Sequence, residues 1–301
     1  MEGVGEPDLL LPASASPHDY ALRPSDARLL QSADAVFWVG GSLTPWLERT
    51  VKTLSGDAVI VSLIEAEGVM TLEFREGAVF AEDDHDYDHD HEQEHADDDE
   101  HGHDDEHAHE DEHAHEDGHD HSSQDHAGHD HSGVDPHAWL DPLNAKIWLA
   151  EISTELSTID PENAELYQNN LAAAEARIDT LLASLSTQMA QVSDVRFVLL
   201  HDGYRYFEDR FGLRAIGAIS ESDASAPSAG RVRDIRQAVE QEGISCLFTE
   251  VQLESPLVEI IGEETSAKIV TLDPLGALLT PGADLYDSKM QGIADAFKAC
   301  S

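Results

Sequence analysis

Residues 82–132 consist almost wholly of His, Asp and Glu, with some Ala, Gly and Ser, and contain no Leu, Ile, Val or Phe. A segment of that composition has no apolar surface to set against the entropy of ordering, so it reads as a disordered, solvated loop outside any core. Whatever fold the chain adopts must come from the flanks on either side. The run also sorts the histidines: of 18 in the chain, 15 lie between His85 and His131, leaving 18 − 15 = 3 elsewhere, His18, His137 and His201.

The flanks carry most of the 41% hydrophobic residues, enough for one large or two medium domains in 301 residues. A net charge of −45, with no Lys or Arg between Arg75 and Lys146, argues against nucleic acid and anionic membrane surfaces and points to cations as partners. No apolar run approaches the roughly 20 residues of a membrane span. Residues 1–8 show no basic region followed by an apolar stretch, so an export signal is not expected in the chain as given. Cys246 and Cys300 fit either one disulfide in an oxidising compartment or two unrelated buried thiols.

Hydrophobic periodicity and turn residues predict an α/β chain. Before the run, the pattern gives a short buried strand at 8–12, a helix opened by Pro24 with Ser25 as N-cap, a strand at 35–39, a helix at 43–55, a strand at 59–63 and a hairpin at 69–80. After it, Asp141 caps a helix with Pro142 in its first turn. A second helix keeps apolar spacing for about thirty residues, long enough to join two lobes. Strands at 195–200, 215–219, 245–249 and 268–272 then alternate with helices at 204–211, 229–242, 256–265 and 285–300. That alternation means an open, mostly parallel sheet in each half. The expected organisation is an N-terminal lobe at 1–158, with the His-rich loop at 82–132, a connecting helix at 159–192 and a C-terminal lobe at 193–301.

Ligands of doubly wound sheets sit beyond the carboxyl ends of the strands. His18 follows the expected first strand, His137 lies in a loop before a helix, His201 ends the apolar run 195–200, and Asp273 follows the strand at 268–272. If the halves face each other across the long helix, these four side chains meet in one cleft. Three imidazoles with one carboxylate or water suit Zn²⁺, whereas Mn²⁺ and Mg²⁺ prefer more oxygen. Cu²⁺ would bind such a shell more tightly still, so selectivity would rest on geometry or availability. The His-rich run, by contrast, offers many interchangeable low-order sites suited to capturing cations.

Several stretches together bring a known family into view: His18, Asp19 and Tyr20 with Leu22, Arg23, Pro24, Ser25 and Asp26, then residues 135–139, 201–211 and 271–276. With the acidic, histidine-rich insertion, they resemble the periplasmic zinc-binding proteins of ABC-type zinc uptake systems over essentially the whole chain. The resemblance implies two α/β lobes joined by a long rigid helix, with Zn²⁺ held between them as cargo and delivered to a membrane permease. It matches His18, His137 and His201 to the metal histidines, and manganese and iron members of the wider group have a carboxylate where this chain has His201. A Glu sometimes found beside the first histidine is replaced by Pro17, so Asp273 or water is expected as fourth ligand. The resemblance also pairs Cys246 with Cys300, implies a periplasmic monomer and no enzymatic activity, and makes the first strand and helix of the family fold appear to be missing. Two competing readings are a zinc-dependent hydrolase with a three-His site and a metal buffer acting mainly through the run.

Overall fold

The computed structural model describes residues 1–80, 133–220, 226–253 and 256–301. The run expected to be disordered, 82–132, lies outside the described residues. The rest is an α/β chain with two parallel sheets flanked by helices.

The first sheet has two parallel strands, β1 (Ala35–Trp38) and β2 (Val59–Ser62), with Ala35 opposite Val59 and Trp38 opposite Ser62. Helix α1 (Pro24–Ser32) precedes β1 and α2 (Pro45–Leu54) connects the strands. Pro24 takes the first helical position, where its missing N–H costs nothing. The N-cap is Arg23 rather than Ser25, because the Asp26 carboxylate accepts the Arg23 backbone N–H at 2.8 Å and the Ser25 hydroxyl at 3.1 Å. Leu30, Leu47 and Val51 form a small core between the helices and this sheet. No strand forms at 8–12: Leu9 is 65% exposed, while Leu10 packs half-buried against the Leu30, Leu47 and Val51 core.

Helix α3 (Pro142–Ile159) starts where expected, with the Asp141 carboxylate accepting the Leu143 N–H at 2.9 Å. Helix α4 (Ala164–Met189) is the long one, 26 residues. Its buried Ile178, Leu181, Leu185 and Met189 recur every three or four positions, a single stripe facing its neighbours α3 and α8.

The second sheet holds β3 (Phe197–His201), β4 (Ala215–Ser220), β5 (Cys246–Glu250) and β6 (Lys268–Leu272), all parallel in the order β4-β3-β5-β6. Helices α5 (Arg205–Phe211), α6 (Ala229–Glu242), α7 (Pro256–Glu263) and α8 (Leu285–Ala299) complete the alternation. All five β3 residues are buried, as a continuous apolar run in a parallel sheet demands. Phe197 and Leu199 pack with Phe207, Phe248 and Phe297 on one face, while Val198 and Leu200 pack with Ile219, Ile235 and Leu247 on the other. Cys246, at the start of β5, and Cys300, just past α8, are joined by a disulfide with Cα atoms 5.6 Å apart.

Segment 69–80 is not a hairpin. It is an extended strap whose partners are distant in sequence: Glu73 bridges Val134 and Val79 bridges Gly217, both antiparallel. The second bridge covers the free edge of β4, with Phe80 N–H donating to Ile216 O at 2.9 Å and Ala218 N–H to Ala78 O at 3.0 Å. Gly217 is what permits this approach, since a Cβ there would stand 2.2 Å from Ala78 O.

Candidate metal centre

Three elements far apart in sequence supply the three histidines. His18 lies in the loop before α1, which is pinned by the Trp46 indole N–H donating to Pro17 O at 2.7 Å and by the Tyr20 hydroxyl donating to Asp26 at 3.0 Å. His137 precedes the short 3-10 turn Ala138–Leu140 that leads into α3. His201 ends β3, the strand at which the order of the second sheet reverses: β4 lies on one side of it and β5 on the other. Crevices at such reversals are where parallel sheets bind ligands.

The three side chains converge. His137 Nε2 lies 3.2 Å from His18 Nε2 and 3.3 Å from His201 Nε2, and one nitrogen of each ring falls within 4.8 Å of the others. Tetrahedral zinc with nitrogens at about 2.05 Å separates them by about 3.3 Å, which the two separations from His137 match. His137 and His201 are 4% and 3% exposed, while His18 is half-buried.

Behind two of the rings stands a buried carboxylate. Asp135 Oδ1 lies 2.6 Å from His137 Nδ1 and also accepts the His137 backbone N–H at 2.9 Å. Glu250 Oε1 lies 2.5 Å from His201 Nδ1. A carboxylate against Nδ1 fixes the proton there and leaves Nε2 bare, the tautomer a metal needs. Burial pushes the Asp135 carboxyl up to about 7, against the stabilising His137 backbone N–H and the positive charge of Arg75. Tyr204, wholly buried, stands edge-on to His201 with ring centroids 6.2 Å apart.

Gly203 keeps the space before the nitrogens clear. A Cβ at this position would lie 2.3 Å from His201 Nε2 and 3.2 Å from His137 Nε2. Asp273 does not belong to the three-histidine group. Its carboxylate accepts the Ala277 N–H at 2.9 Å, the Leu278 N–H at 3.1 Å and the Gln252 amide at 3.3 Å, and so organises the loop after β6.

Sequence reasoning thus singled out the three histidines but missed Asp135, Glu250 and Gly203. The same strand-end argument that found His201 applies to Glu250, which ends β5. Asp135 had a signal in its position two residues before His137. Gly203 had none, because its role depends on rings from two other elements.

A family model described as zinc-uptake complex component A, periplasmic, matches residues 1–300. The high-affinity zinc uptake system protein ZnuA of Brucella abortus (strain 2308) is 42% identical over 301 residues, covering 100% of this chain and 86% of the relative. ZnuA of Paracoccus denitrificans (strain Pd 1222) is 45% identical, with 100% and 86% covered. Among solved structures, a crystal structure of ZnuA has a TM-score of 0.67 at 23% identity over 96% of this chain and 89% of that one. A zinc-bound deletion mutant of ZnuA gives 0.68 at 23% identity, over 97% and 86%. At that identity the structural likeness speaks for the fold.

Proposed function

Because the chain belongs to the family of periplasmic zinc-uptake component A proteins, we propose that it captures Zn²⁺ as cargo at His18, His137 and His201 and hands it to an ABC-type membrane permease. The observation that carries this reading is the convergence of three imidazole nitrogens at zinc-like spacing, two of them held by carboxylates in the metal-binding tautomer. Neutral nitrogen donors favour Zn²⁺ over Mn²⁺ and Mg²⁺. Water completes the tetrahedron, since the Asp273 oxygens already accept two hydrogen bonds from their own loop and one from Gln252.

In this reading the protein works as a periplasmic monomer without turnover chemistry. Residues 1–158 and 193–301 act as two lobes, with 159–192 as the rigid connection between them, and the His-rich run serves as a collector beside the ordered site. The test is a competitive titration of the full chain and of a chain lacking residues 82–132, with Cu²⁺ and Mn²⁺ as competitors. One tight Zn²⁺ per chain should survive the deletion and resist Mn²⁺. Loss of all tight binding with the run would leave a plain metal buffer instead.

A further inference from the structure

The strap at 69–80 does more than cover a sheet edge. Its Arg75 donates from Nε to both Asp202 oxygens, at 3.0 and 3.1 Å, and from Nη1 and Nη2 to the two Glu208 oxygens, at 2.9 and 2.8 Å. Nη2 also reaches Asp202 Oδ1. Asp202 and Glu208 are buried, at 5% and 3% exposure, and Arg75 is mostly so, at 16%. Burial opposes the Arg75 charge, but Glu208 and Asp202 outweigh it and hold its pKa above the ordinary value. Its guanidinium also lies 3.9 Å from the centroid of the Phe80 ring, within the strap itself.

Two partners of the strap, Asp202 and Asp135, stand beside histidines of the site. Asp202 directly follows His201. On the other side, Leu72 O accepts the Asp135 N–H at 2.7 Å and Phe74 N–H donates to Gly133 O at 3.1 Å. The Tyr206 hydroxyl accepts Leu72 N–H at 2.9 Å and donates to Asp135 O at 2.7 Å. Asp135 is the residue that orients His137. One short segment is thus tied to the residue next to His201 and to the residue that aims His137.

We propose that Arg75 is a positioning residue for the zinc site: it docks the strap, and the docked strap holds His137 and His201 in register. The inference rests on the zinc-site reading above. Docking and zinc binding are then linked reciprocally, so the factor by which the docked strap tightens zinc is the factor by which zinc tightens the strap.

The experiment measures zinc release into excess chelator for the full chain and for Arg75→Met, Arg75→Lys and Gly217→Ala. Gly217→Ala lifts the strap through a clash with Ala78 O and leaves every charge in place. Release should be at least about tenfold faster in Arg75→Met and Gly217→Ala, with Arg75→Lys between these and the parent. In the unsubstituted protein, amide exchange at Phe80 and Ala218 should slow on zinc loading by the factor by which Gly217→Ala weakens zinc affinity. Unchanged release in Gly217→Ala overturns the proposal even if its thermal stability falls, because the strap is then only scaffold. Exchange at Phe80 and Ala218 that ignores zinc overturns it without any substitution. His201→Ala, run alongside, separates the two readings: if it too leaves zinc binding unchanged, the site assignment has failed, not the strap alone.

Discussion

Gly203→Ala is the sharpest perturbation of the proposed centre, because it adds one methyl group and touches no ligand atom covalently. The new Cβ would stand 2.3 Å from His201 Nε2, where ordinary contacts begin at 3.4 Å, so the ring must move by about 3.4 − 2.3 = 1.1 Å. Zinc–ligand distances tolerate about 0.2 Å. Retreat is blocked by Glu250, 2.5 Å behind Nδ1, so His201 swings out of the shell or the methyl group sits where the metal belongs. Disturbing an outer partner of a ligand costs 10- to 100-fold in affinity; losing a ligand itself should reach at least about 100-fold, or about 2.7 kcal/mol. Competition with a chromogenic zinc chelator measures the affinity, and thermal unfolding of the metal-free protein controls for folding. Affinity within about threefold of the parent, in a folded variant, would refute the placement of the metal before these nitrogens.

Other consequences follow from neighbouring features. Glu250→Gln removes the charge behind His201 and the fixed tautomer, and should weaken zinc about 10- to 100-fold in the same competition assay. Lys289 is buried in α8, and burial, partly offset by Asp273, pulls its pKa from 10.5 to about 7. The unfolded chain therefore holds one proton more than the folded chain between pH 7 and about 10, and stability should rise with pH across that window. Urea unfolding at pH 7 and 9 should show the parent gaining on the order of 1–2 kcal/mol relative to Lys289→Met, which itself should be the more stable protein at pH 7. Reducing Cys246–Cys300, 54 residues apart in sequence, should cost about 2–4 kcal/mol by denaturant titration. It should leave zinc affinity within a few-fold, since the bond lies at the far end of β5 from Glu250.

The parts of this molecule legible in its sequence are those set by local pattern. β3 was readable as an uninterrupted apolar run, α3 from Asp141 and Pro142 at its start, and α4 from its stripe of buried residues. The three histidines of the proposed centre stand out once the acidic run is set aside. What escaped depends on partners far along the chain. Residues 8–12 have a strand's composition but no strand beside them, and Leu9 is left at the surface. Residues 69–80 alternate weakly because their partners are not each other but Val134 and Gly217. Arg75 and Asp202 are 127 positions apart, and Glu250 and His201 49 apart; no local periodicity marks such pairs. Asp273 is marked by its position after a strand, and its carboxylate accepts N–H groups of the loop that follows, a contact that position alone does not reveal.

The most direct test of the central claim is a zinc competition titration of the full chain against the same chain carrying His18→Ala, His137→Ala and His201→Ala together, with all 15 histidines of the run left in place. One tight Zn²⁺ per chain should disappear while weak, multiple binding remains. A tight equivalent that survives the triple substitution would contradict that claim and move the function into the run.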